Sequence, residues 1–118
     1  MRFAGKSVII TGGGGKIGKA YALGFAKEGA KVVLPDIASA DHVVEAIRDT
    51  GGTAISMACD VSNEESVKAM VRETVKQFGT VDILINNAAY FMSVWKGVFW
   101  EMTVEEFDKA MAVNVRGS

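Results

Sequence analysis

A single cysteine, Cys59, excludes a disulfide within the chain, and with it the small secreted scaffolds that disulfides hold together. A reducing, cytoplasmic setting is the expectation. No apolar run approaches the roughly 18–20 residues that cross a bilayer. The apolar stretch after Lys6 ends at Gly12, too short for the core of a secretory signal. Basic residues are not in excess: thirteen stand against fourteen acidic ones, for a formal net charge of -1. Nothing is therefore available to displace counterions from nucleic acid, and an acidic membrane surface is no better a partner. His, Cys, Asp and Glu nowhere fall at metal-ligand spacing, so no metal site is expected. His42 reads as a solvated helix residue and Cys59 as core. Proline is confined to Pro35, and no repeat, linker or low-complexity segment interrupts the chain. Residues 1–118 are read as one domain.

What is present has the balance of a soluble globular domain, 49% hydrophobic and 23% charged, and is long enough to bury a core. Short β-rich runs alternate with stretches of helical period, the pattern of βαβ units around a parallel sheet. The runs are Ser7–Thr11, Lys31–Leu34, Thr53–Met57 and Val81–Ile85. The first and fourth are continuously apolar, as strands covered on both faces are, whereas the third alternates and suits a sheet edge. Helices are predicted at about 16–28, 39–50 and 63–78. In the third, Ser62 and Glu65 have capping-box spacing, and Val67, Met70, Val71, Val75 and Phe78 form an apolar face before Gly79. A fourth helix is predicted from Thr103, with Phe107, Ala110 and Met111 on its apolar stripe. Asn114 follows on that stripe, where a buried amide needs a hydrogen-bond partner.

The strongest local feature is Thr11-Gly12-Gly13-Gly14-Gly15-Lys16-Ile17-Gly18, between the first strand and the first helix. A turn without Cβ atoms lets backbone approach a pyrophosphate, and the helix start offers free N–H groups and a positive dipole end. Alone, such a cluster can equally be a purely structural turn. Its place in the first βα connection, where doubly wound sheets bind dinucleotides, favours the binding role. Asp36, eighteen positions past Gly18 at the end of the second strand, can accept hydrogen bonds from ribose hydroxyls. The plainer reading of Asp36 is a solvated turn residue after Pro35. A P-loop fails on spacing, because it requires a glycine where Ile10 stands and a hydroxyl where Ile17 stands.

Four stretches, in order and at the right spacing, resemble the short-chain dehydrogenases and reductases. Thr11 to Gly18 is similar to the family's TGxxxGIG cofactor turn, Asp60-Val61 to its adenine-contacting DV pair, Asn86-Asn87-Ala88-Ala89 to NNAG, and Asn114-Val115-Arg116-Gly117 to NVxG. The resemblance implies a Rossmann-type α/β fold, a doubly wound parallel sheet of strand order 3-2-1-4. It also implies hydride transfer between a nicotinamide and an alcohol or ketone. Gly12, Gly14, Gly15, Lys16, Ile17, Gly18, Asp36, Asp60, Val61, Asn87, Ala88 and Ala89 become the cofactor-binding candidates. Asn114 becomes the catalytic candidate, because the family asparagine there bends its helix and holds a water of the proton relay.

The sequence departs from the pattern twice. Lys16 stands for the middle glycine, which predicts a turn reshaped around Gly15, and Ala89 stands for the last glycine of NNAG. Asp36 favours NAD over NADP, since a 2′-phosphate would meet a like charge; Lys16 is the contrary hint. The family's serine and YxxxK residues are missing: Phe25 follows Tyr21 and Val94 follows Tyr90 at the lysine position. The chain is thus expected to be a truncated, N-terminal portion of a longer enzyme, inactive alone and marginally stable or associated, with a homo-oligomer as the full-length form. The aromatic stretch Tyr90 to Trp100 borders the family's substrate cleft. A non-catalytic dinucleotide-binding or interaction module is the rival function, and a dehydratase or epimerase of the related extended family a third.

Overall fold

A computed structural model describes residues 1–89 and 104–118. The aromatic stretch Tyr90 to Trp100 and the Thr103 helix start lie outside the described residues, as do the side chains of Glu106 and Phe107. Four parallel strands, β1 (Ser7–Ile10), β2 (Lys31–Asp36), β3 (Thr53–Ala58) and β4 (Ile83–Ile85), form one sheet in the order β3-β2-β1-β4. This is the predicted doubly wound order, with the alternating third strand at an edge. Helices α1 (Lys16–Lys27), α2 (Asp41–Asp49) and α3 (Glu64–Phe78) connect the strands, and α4 (Val104–Met111) runs on into a π turn, Ala112–Arg116.

Alternation along the strands builds two cores. Val8, Ile10, Val32, Leu34 and Ala54 face α1 and α2, meeting Ala22, Val43, Val44 and Ile47. Their neighbours Ile9 and Val33 face the other way, toward Cys59 and Met70 with Val67 and Phe78 beside them. Burying each of the larger aliphatic side chains contributes about 1.5–3 kcal/mol, which explains why the short central strands hold. Pro35 is tolerated in the central strand because it lies past the last β1 pair, Ile9 with Val33. Its carbonyl still accepts from Gly12 N at 2.9 Å, and no ladder donor is missed on that side.

Three details correct the sequence reading. The α3 cap is Asn63, whose Oδ1 accepts from Ser66 N at 3.1 Å. Ser62 is drawn away to Asp60, donating its hydroxyl to Oδ1 at 2.6 Å. The predicted stop is correct: Gly79 caps α3 in the left-handed region, φ +85°. The buried stripe of α3 runs through Met70 and Thr74, not through Val71 and Val75, which are 39% and 45% exposed. Thr74 is admitted there because its hydroxyl donates to the Met70 carbonyl at 2.8 Å. Asn114 is exposed and sits inside the π turn rather than on a buried stripe. The expected stripe is itself open at this end, with Met111 42% exposed.

Candidate functional site

The C-terminal ends of β1, β2, β3 and β4 open onto one cleft of about 410 Å³, the crevice where doubly wound sheets bind ligands. One wall is the glycine turn, contributing Gly12 and then Gly15 to Gly18. Gly12 adopts φ +65°, and a Cβ there would lie 2.9 Å from Ala88 Cα. Gly18 is buried against the same turn. Lys16 needs no special backbone, since among the described residues only glycines have positive φ. It occupies the first position of α1 with an exposed side chain, and Gly15 before it is extended (φ -81°, ψ 173°). The expected reshaping around Gly15 is thus absent; the left-handed residue is Gly12.

The start of α1 carries no side-chain cap and no acidic residue in its first turn. Its N–H groups and dipole therefore confront the cleft unneutralised, as an anion requires.

Asp36 stands directly beside this turn. Its Oδ2 accepts from Gly14 N at 2.9 Å and its Oδ1 from Ala38 N at 3.0 Å. Each carboxylate oxygen offers two lone pairs, so each retains one acceptor position for a hydroxyl. The Ala38 bond is that of a turn residue, and the Gly14 bond adds a tie to the glycine turn. Gly14 itself does not line the cleft; it serves by donating its amide to Asp36.

The β4 end is tied to the turn reciprocally. Thr11 Oγ1 accepts from Asn87 N and Ala88 N, both at 3.0 Å, and Asn87 Nδ2 donates to the carbonyls of Thr11 (3.1 Å) and Gly12 (3.3 Å). Asn87, Ala88 and Ala89 form the floor of the cleft. Thr11 is 4% exposed, so its hydroxyl gains these partners away from water. Sequence reasoning missed Thr11 as a positioning residue.

The loop after β3 supplies Cys59, Asp60 and Val61. The Asp60 carboxylate accepts from both the hydroxyl and the amide of Ser62. Those bonds, aided by the positive charges of Lys109 and Arg116, hold its pKa below the ordinary 3.8. Cys59 is core, as expected, but also touches the cleft, and Ile37 and Val113 complete the lining without any sequence signal. Asn114, next to Val113, does not reach the cleft; its carbonyl accepts from Ser118 Oγ at 3.3 Å. Tyr21 is likewise remote, on α1 beside Arg2 and Phe3. Among the described residues no helix is long and apolar enough to cross a membrane.

Known proteins share this fold. The family described as Enoyl-(Acyl carrier protein) reductase matches residues 14–118. An uncharacterized oxidoreductase of Thermotoga maritima is 44% identical over 99% of this chain and 45% of its own length. Glucose 1-dehydrogenase 2 of Bacillus subtilis is 37% identical over 97% of this chain and 45% of its own. A crystal structure of a short chain dehydrogenase from Mycobacterium avium superposes with a TM-score of 0.91 at 35% identity, covering 99% of this chain and 43% of that one. The chain spans less than half the length of these relatives. On the family match and the fold together, the chain belongs to the short-chain dehydrogenase/reductase family of oxidoreductases.

Proposed function

We propose that this chain is the dinucleotide-binding part of an NAD-dependent oxidoreductase that exchanges hydride with an alcohol or ketone. Family membership implies NAD or NADP; the preference for NAD rests on Asp36. The observation that carries the reading is the Asp36 carboxylate held 2.9 Å from Gly14 N, beside the uncapped start of α1. In this reading the α1 amides, with Lys16, meet the diphosphate, and Asp36 accepts from the ribose hydroxyls. Val61 and Asp60 border the adenine, and Ile17, Asn87, Ala88 and Ala89 border the nicotinamide end. A bound nicotinamide would give hydride to a ketone or take it from an alcohol.

An alcohol or ketone also needs a group to take or give a proton. Tyr21 lies away from the cleft, and Asn114 serves in this reading through its main chain rather than as the proton donor. Cofactor binding without carbonyl reduction is accordingly the expected behaviour of these 118 residues. The longer protein is proposed to be a cytoplasmic homo-oligomer. Calorimetric titration of the chain with NADH and with NADPH tests the assignment. NADH is expected to bind more tightly; tighter binding of NADPH overturns the choice of cofactor, and binding of neither overturns the site.

A further inference from the structure

Asp60 and Val61 line the cleft, and Ser62 follows behind them in a loop that is held from two sides. Locally it is closed by side chains: Asp60 Oδ1 accepts from Ser62 N (3.0 Å) and Ser62 Oγ (2.6 Å), while Asp60 N donates to Ser66 Oγ (3.0 Å). The second support is distant in sequence. Arg116 Nη2 donates to the Ser62 carbonyl at 3.2 Å, across 54 positions. Gly117 packs against the same loop so closely that a Cβ there would lie 2.8 Å from Val61 Cγ2. Both residues belong to the π turn or its end, where Gly117 N donates to the Ala112 carbonyl at 2.8 Å. One turn of helix thus places Val113 in the cleft and sets Arg116 and Gly117 against the neighbouring wall.

We infer that Arg116 is a positioning residue for the dinucleotide site, a clasp that fixes the Asp60–Ser62 loop against the π turn and so sets the width of the cleft at its adenine end. This rests on the dinucleotide reading given above. A guanidinium suits the role, because it donates to a carbonyl and places positive charge beside the Asp60 carboxylate at the same time.

The test compares the 118-residue chain with Arg116→Ala and Arg116→Lys. Two readouts need no ligand: amide hydrogen exchange at Val61 to Asn63, and the carbon-13 NMR titration of the Asp60 carboxyl. A third is calorimetric binding of AMP and of NADH. In Arg116→Ala the loop amides are expected to exchange roughly fivefold faster, the Asp60 titration to move up toward the ordinary value, and AMP and NADH to bind roughly fivefold more weakly. Arg116→Lys keeps a donor and the charge and is expected to recover most of each. Unchanged exchange and unchanged AMP affinity in Arg116→Ala overturn the clasp. If the unaltered chain binds neither AMP nor NADH, the dinucleotide reading and the clasp's role in that site fall together. If it binds both and only the loop measurements fail to respond, the clasp alone falls.

Discussion

Gly18 leaves no room for a side chain. A Cβ built there lies 2.5 Å from the Gly12 carbonyl oxygen and 2.8 Å from Gly13 Cα. Both are backbone atoms, so no rotamer change relieves the overlap, and the turn itself must shift. Gly18→Ala is expected to cost about 1–3 kcal/mol and to weaken NADH binding roughly tenfold. Thermal melting and calorimetry check it; a variant with unaltered melting and affinity shows that the turn yields freely. Residues of this kind were legible beforehand, because glycine declares a tight approach by its composition. Asp36 was legible from its distance to the turn. Thr11 was not, since its importance depends on the amides of Asn87 and Ala88, and a threonine ending a strand carries no mark of partners so far along the chain.

Helix α3 shows where periodicity succeeds and where it slips. Its extent and its glycine stop were readable from spacing alone. Its cap was misread by one residue, because Ser62 and Asn63 both precede the helix with suitable side chains and only the competing pull of Asp60 decides between them. Asn63→Ala is expected to lower stability by about 1 kcal/mol through loss of the cap. Ser62→Ala should leave the α3 cap intact, its cost falling on the Asp60 loop. Chemical denaturation with hydrogen exchange at Ser66 separates the two, and faster Ser66 exchange in Ser62→Ala contradicts the assignment. The π turn escaped periodicity, because hydrophobic spacing over Ala110 to Asn114 fits an unbroken α-helix; only the family resemblance implied a bend at Asn114.

The parallel sheet was legible from four apolar runs separated by helical stretches, whereas its order came from the family resemblance and not from the pattern itself. Among the described residues β4 pairs only with β1, and Leu84 on β4 is 52% exposed, lining one hollow with Val67 and Met70 of α3. An open strand edge beside apolar side chains favours association. Sedimentation is expected to give a mass above the monomer that rises with concentration, and Leu84→Lys to reduce it; a monomer at every concentration refutes this. The stitching of Thr11 to Asn87 and Ala88 has a further result. Residues 76 and 77 positions apart must meet before the glycine turn acquires its final partners, so the entropy of closing that span is met before the pocket exists. Ligand capture should therefore be the last property to emerge as the chain folds, and a molecule in which β4 has not docked will have three good strands and nothing to hold.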